Sequence, residues 1–301
     1  MRKIHIGTLA LVALALPILA ACSAGSTGGA PGPTPFPMTR LYVANDGGSG
    51  VVQIFAPPFS ASSVPAVAFK DGTSTDVDDV AFDRKGRLYV GNFGQDMVDV
   101  FTPPFTNAST STFSITTGSG PEGIDLDILG NLYVANRNAG NVTVYNAPLS
   151  GTSTAAFTIA TGLSQPIGLK IHGGSLYVAD QTHGYVAVYN APFSSSSAPA
   201  VTIPVAGAWG IGFDGAGNLW VCNVSTSNVQ EFTPPFTNTS TPAITISGTL
   251  SNPEYPALDA TGNLYVSDIT DVQVFLAPLS SSSTSAFDIP TIAANGIRFG
   301  P

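Results

Sequence analysis

The sequence predicts an all-β protein, a six-bladed β-propeller of four-stranded blades, closed by the C-terminal strand joining the N-terminal blade. Three observations carry this. Leu41-Tyr42-Val43-Ala44-Asn45 returns as Leu88-Tyr89-Val90-Gly91-Asn92, Leu132-Tyr133-Val134-Ala135-Asn136, Leu176-Tyr177-Val178-Ala179-Asp180, Leu219-Trp220-Val221-Cys222-Asn223 and Leu264-Tyr265-Val266-Ser267-Asp268. The steps are 47, 44, 44, 43 and 45 residues, the period of a propeller blade. Composition agrees: of 301 residues 44% are hydrophobic and 10% charged, with 32 Gly and 24 Pro. That is too apolar for a disordered chain and too often punctuated for long helices or a coiled coil. Finally, the ends fit each other. The first repeat begins at its second strand, Thr39-Arg40-Leu41, and the chain finishes on a first strand, Asn295-Gly296-Ile297-Arg298-Phe299-Gly300. Joining them completes a blade and removes free sheet edges.

Taken in order, the chain opens with Arg2-Lys3, an apolar run from Ile6 to Leu19 and small residues. This reads as an export signal over residues 1–21, too short to be a comfortable membrane span. Leu19-Ala20-Ala21-Cys22 resembles the bacterial lipobox, and the resemblance implies that Cys22 becomes the lipidated first residue of the mature protein. A thiol can carry thioether-linked diacylglycerol, and several acyl chains anchor stably where one is marginal. A secreted protein with a chance cysteine after its cleavage site is the other reading. Residues 22–38, rich in Gly, Ser, Thr and Pro, form a flexible tether with no packable face. The expected location is that of an exported bacterial lipoprotein, held to a membrane on its periplasmic or cell-surface side. Loss of Arg2 and Lys3 with the leader takes the net charge from −9 to −11. An acidic chain with no basic cluster excludes nucleic acid as a partner.

Residues 39–301 hold the propeller. In each repeat a Gly-Ile strand, a, runs through a Gly-Asn turn into strand b, the Leu-Tyr-Val motif. Strand c alternates, as in Val142-Thr143-Val144-Tyr145, then meets Pro and leads to a short strand d such as Ala156-Phe157-Thr158-Ile159. Cys222, inside strand b of the fifth repeat, reads as a buried inert thiol. The serine runs 194–197 and 280–283 fall in c–d loops on the opposite face and read as flexible spacer.

The pattern Pro-x-Gly-Ile-x-x-Asp-x-x-Gly-Asn-Leu-Tyr-Val-x-Asn/Asp resembles the NHL-repeat propellers and, more loosely, the SMP-30/gluconolactonase and strictosidine-synthase-like six-bladed propellers. Those families include scaffolds, binding modules, lyases and lactonases, so the resemblance implies the fold and leaves the function open. The lactonase-type members imply a central metal held by carboxylate and Asn oxygens.

Strand a lines the channel, and the start of a and the end of b share one face. Aligning the repeats gives a ring of Asn295, Asp78, Glu122, Ile167, Trp209 and Glu254. Glu254, Asn295, Asp78 and Glu122 are contiguous. Three carboxylates and an amide on one axis call for protonation or a cation, and hard oxygen ligands suit Ca²⁺ or another divalent ion. The plainer reading is that they are water-bridged, solvated residues of a channel mouth. A second ring, Asn45, Asn92, Asn136, Asp180, Asn223 and Asp268, ends strand b, where Asn and Asp cap backbone groups. Asp180 and Asp268 are kept as candidate ligand contacts. So are Trp209 and the repeat-breaking loop residues Arg137 and His183.

Other motifs carry little. Gly210-Ile211-Gly212-Phe213-Asp214-Gly215 matches a dinucleotide fingerprint without a βαβ unit. Asp71, Asp76, Asp78 and Asp79 lack EF-hand spacing, and apart from Asp78 they read as a solvated loop. The expected function is a monomeric, membrane-anchored binding or interaction module that presents its a/b face to a protein, glycan or small molecule. The alternative is a metal-dependent lactonase, hydrolase or lyase with a central cation. No residue stands out as its catalytic base.

Overall fold

The computed structural model describes residues 39–70, 72 and 74–301. The export signal, Cys22 and the tether, all expected within 1–38, lie outside the described residues, as does Asp71. Among the described residues the chain forms 22 strands and one 3₁₀ turn, Phe93–Gln95. The first repeat supplies β1 (Arg40–Asn45), β2 (Val51–Phe55) and β3 (Val67–Lys70). Four antiparallel sheets of four strands follow. They are β4 (Val77–Phe82), β5 (Leu88–Asn92), β6 (Met97–Phe101) and β7 (Phe113–Thr116); and β8 (Pro121–Leu126), β9 (Leu132–Asn136), β10 (Asn141–Tyr145) and β11 (Phe157–Ile159). The next two are β12 (Pro166–His172), β13 (Ser175–Asp180), β14 (Tyr185–Asn190) and β15 (Val201–Pro204); and β16 (Ala208–Phe213), β17 (Leu219–Asn223), β18 (Asn228–Phe232) and β19 (Ile244–Ile246). The chain ends on β20 (Pro253–Leu258), β21 (Leu264–Phe275) and β22 (Phe287–Gly300).

The all-β propeller is as expected, but the six separate blades are corrected to five sheets. The fifth sheet has six strands, in the order β20-β21-β22-β1-β2-β3. It takes up the sixth repeat and the terminal closure together. β22 pairs with β21 through Phe287–Pro290 and with β1 through Ile297–Gly300. The cause is local. A glycine interrupts every other passage from strand d to strand a, whereas Thr291-Ile292-Ala293 has none, so the chain stays extended and one strand serves both ladders. The expected closure is present in this register, with Arg40 opposite Gly300 and Val43 opposite Ile297. Tyr42 Oη adds a bond to the carbonyl of Pro301 at 2.7 Å.

The inner strands touch in sequence, β4 with β8, then β12, β16, β20 and β22, which returns to β4. Glycine lets them approach. A Cβ on Gly210 would lie 2.2 Å from the Glu254 carbonyl oxygen, and one on Gly296 2.3 Å from that of Asp78. Between sheets, alternating apolar residues interlock, as where Tyr177, Val186 and Val188 meet Ile211, Leu219 and Val221. Each such side chain contributes about 1.5–3 kcal/mol on burial.

The a–b turns are set by aspartate. Asp83 Oδ1 accepts the N–H groups of Lys85 and Arg87, both at 2.9 Å, while Gly86 takes φ +75°. Asp127, Asp214 and Asp259 repeat the arrangement. The serine runs are ordered, which corrects their reading as flexible spacer. The Oγ of Ser197 accepts the N–H of Ser194 at 2.9 Å, and Ser283 does the same for Ser280. Hydroxyls three residues on close each c–d loop in this way. Cys222 is buried, and burial holds its thiol well above the usual range.

Candidate functional site

A β-bulge builds the mouth of the channel. In β4, three steps from Val77 to Val80 oppose two on β5, from Asn92 to Val90. The same extra residue occurs in β8, β12, β16, β20 and β22. Bulges re-aim side chains next to sites. Here the six bulges fall on the aligned ring of Asp78, Glu122, Ile167, Trp209, Glu254 and Asn295. All but Ile167 line one cavity of about 230 Å³. Arg137 lines it too, with two residues that sequence reasoning missed, Asp46 and Phe93, and with Asp76, whose reading as part of a solvated loop is thereby corrected.

The cavity is strongly acidic. Five carboxylates face one guanidinium. Asn295 Nδ2 donates to Asp78 Oδ1 at 2.7 Å, while Asp78 Oδ2 and Asn295 Oδ1 have no partner although the residues are only 3% and 2% exposed. Asn252 Nδ2 donates to Glu254 Oε1 at 2.9 Å. Arg137 is held loosely: Nη1 lies 3.5 Å from Glu122 Oε2, Nη2 3.4 Å from Gln181 Oε1, and the guanidinium carbon 5.0 Å from the Trp209 ring centre. One oxygen each of Asp46, Asp76 and Asp78 lies within 4.8 Å of the others.

Burial, then the neighbouring carboxylates, holds Asp78 well above the usual carboxylate range. Burial pushes Glu122 up to about 7 against the pull of Arg137. Glu254 rises to about 9, through burial and then the charges of Asp46, Glu122 and Asp268. Burial also raises Asp46 and Asp76, and Asp76 adds to the rise at Asp46. A cluster of this kind holds protons or a cation.

Deeper in the channel the charges balance. Asp125 Oδ1 meets Arg298 Nη2 at 2.6 Å, and Asp79 Oδ2 lies 3.6 Å from Lys170 Nζ. Asp79 also accepts the N–H of Val80 and of Ile124. Along the channel, acidity without partners is therefore confined to the mouth.

In the ring ending strand b, Asn45, Asn223, Asp180 and Asp268 bond backbone groups, whereas Asn92 bonds the side chains of Asp99 and Ser74. Asp180 accepts the N–H groups of Ser164, Gln165 and His183, and Asp268 those of Ser251 and Asn252. Both tie the d–a loop to the sheet, and neither lines the cavity. His183 Nδ1 pairs with Asp180 Oδ1 at 2.9 Å and its ring stacks on Tyr185, also away from the cavity. The missed residues had a signal. Asp46, Phe93 and Arg137 are the residues immediately after the strand-b Asn in the first three repeats, a second place where the repeat breaks. Asp76, just before β4, falls in no periodic position.

No protein-family model matches the chain, and no curated protein matches its sequence. Solved structures do. The chain is similar to one in a nidogen/laminin complex, with 18% identity, TM-score 0.66, and coverage of 86% of this chain and 97% of that one. It is similar to the periplasmic gluconolactonase PpgL of Pseudomonas aeruginosa, with 14% identity, TM-score 0.65, and coverage of 87% and 99%. A protein of Bacteroides uniformis provisionally described as a 6-phosphogluconolactonase gives 14% identity, TM-score 0.62, and coverage of 86% and 84%. At these identities the likeness is one of fold.

Proposed function

We propose that this propeller is a binding module that takes a positively charged ligand into the cavity at its a/b face. One observation carries the reading: five carboxylates surround the cavity with a single, loosely held arginine, and Asp78 keeps an unpartnered buried oxygen. Such a mouth repels anions and gains from any cation that replaces its protons. Trp209 and Phe93 add aromatic surface that suits an ammonium or guanidinium group. The reading also places the module on the periplasmic or cell-surface side of a membrane, tethered through lipidated Cys22. Arg2-Lys3, the apolar run after them and the lipobox-like segment support that part.

The test is thermal melting of the protein with Ca²⁺, a set of diamines and guanidines, and sugar acids as anionic counterparts. A cationic ligand at a hundred times its Kd stabilises by roughly 2.7 kcal/mol. The expected result is a rise in midpoint with at least one cation, none with the anions, and loss of the rise in Asp78→Asn/Glu122→Gln. Stabilisation by anions alone, or a rise that survives the double substitution, overturns the reading. Hydrolysis of a lactone by the cation-loaded protein favours the metal-dependent hydrolase instead.

A further inference from the structure

We infer that the cavity's first occupant is a calcium-sized divalent cation, held off the channel axis by Asp46, Asp76, Asp78 and the side-chain oxygen of Asn295. The inference rests on the cationic-ligand reading and specifies which cation and where. Three strands of geometry converge on it.

The spacing fits. Ligand oxygens on opposite sides of Ca²⁺, at 2.3–2.6 Å from the ion, lie about 4.6–5.2 Å apart, and adjacent ones lie closer. Three oxygens all within 4.8 Å of one another therefore fit around one such ion. Mg²⁺, with ligands at 2.0–2.1 Å, holds opposite oxygens no farther than about 4.2 Å apart and demands a near-ideal octahedron, a narrower tolerance than that of Ca²⁺.

The donors are also oriented. Asn295 Nδ2 is committed to Asp78 Oδ1, which leaves Asp78 Oδ2 and Asn295 Oδ1 as the free oxygens of the pair. Both residues line the cavity, both are more than nine-tenths buried, and both oxygens lack a partner. A buried acceptor left unpaired costs about 1–3 kcal/mol, and a cation satisfies two at once. By contrast, every carboxylate deeper in the channel already has its partner.

The chain path explains why the four residues meet. Asp46 follows β1, Asp76 and Asp78 flank the start of β4, and Asn295 sits on the bulge of β22. The backbone N–H of Asp46 donates to the Ala293 carbonyl at 3.1 Å, which fixes the first hairpin beside the last strand. Four protein oxygens leave two to four of the six to eight positions of Ca²⁺ for water or for an oxygen of a second ligand entering from the Trp209 side.

The experiment is calorimetric titration of the full chain, freed of metal with EDTA, with Ca²⁺, repeated by terbium luminescence sensitised through the aromatic residues. One ion per chain is expected, with Kd between about 10 μM and 1 mM, the span from sensor to extracellular sites. Asp46→Asn and Asp76→Asn, at half-buried positions, should each weaken binding by about tenfold or more as ligand charge is lost. That loss should exceed the effect of Glu122→Gln or Glu254→Gln. Circular dichroism shows whether each variant is folded. No binding at 1 mM Ca²⁺ overturns the proposal. So does binding that depends on Glu122 and Glu254 but not on Asp46 and Asp76, which would place the ion on the axis. In either case diamine and guanidine binding, measured alongside, decides the broader reading separately. If those cations bind, that reading stands; if no cation binds, both fall.

Discussion

Replacing Glu254 by glutamine should stabilise the metal-free protein at alkaline pH and do almost nothing at pH 5. Glu254 is 9% exposed, and its carboxyl is raised from 4.5 to about 9. A carboxyl with a raised folded-state pKa binds more protons folded than unfolded between those two values. Its stabilising protonation is fully present below about 4.5 and is lost as pH rises through about 9. At 1.36 kcal/mol per pH unit, holding this group in the fold at pH 8 costs about 5 kcal/mol as an upper limit. Water in the mouth screens part of that, leaving about 2–4 kcal/mol. At pH 5 the same arithmetic gives under about 1 kcal/mol. An amide does not titrate, and its oxygen can still accept the Asn252 bond that Glu254 Oε1 accepts now. Glu254→Gln in EDTA should thus melt about 5–10 °C higher than the parent at pH 8, at roughly 2–4 °C per kcal/mol for a domain of this size. At pH 5 the two should nearly coincide. Scanning calorimetry at half-unit pH steps reads both curves. A variant no more stable than the parent at pH 8, or one with the same gain at both pH values, would refute a desolvated, proton-holding mouth.

Other predictions address the scaffold and the address. Gly210→Ala forces a Cβ to within 2.2 Å of the Glu254 carbonyl oxygen and should cost about 1–3 kcal/mol, read as a lower urea midpoint at unchanged slope. Arg298→Met removes the ion-pair partner of Asp125 at 2.6 Å and should destabilise by about 3–5 kcal/mol, because a buried carboxylate keeps its Ile171 N–H but loses its guanidinium. Equilibrium denaturation measures that loss, and a neutral result would show that water reaches the lower channel. Cys22→Ala should abolish incorporation of radiolabelled palmitate and release the protein from the membrane fraction. Labelling that persists would remove the lipoprotein reading.

Much of the mouth is legible in the sequence because it rides on the repeat. Asp78, Glu122, Trp209, Glu254 and Asn295 share one aligned position, and a bulge that recurs in every inner strand turns that position toward the axis. Arg137 is legible because it breaks the pattern. Asp46 and Phe93 break it at the same step, but an acidic or aromatic residue after a strand is ordinary in a loop, and only the closing of the ring brings them to the cavity. Asp76 lies in a loop of irregular length, where alignment has no hold. The fusion into five sheets turns on the missing glycine in 291–293, a local absence that a global period conceals. Asp180 and Asp268 illustrate the opposite case, since their regularity serves the loops that every repeat must tie down.

Closure of the ring also joins the two ends of the described chain at the cavity. Asp46 belongs to the first hairpin of the described propeller and Asn295 to its last strand, and they become neighbours only when β22 pairs with β1. Without β22 the earlier hairpins can still pair, yet the mouth lacks Asn295 and Asp46 loses the Ala293 carbonyl that holds it in place. Closure of the ring and the gathering of the mouth's oxygens are thereby one event.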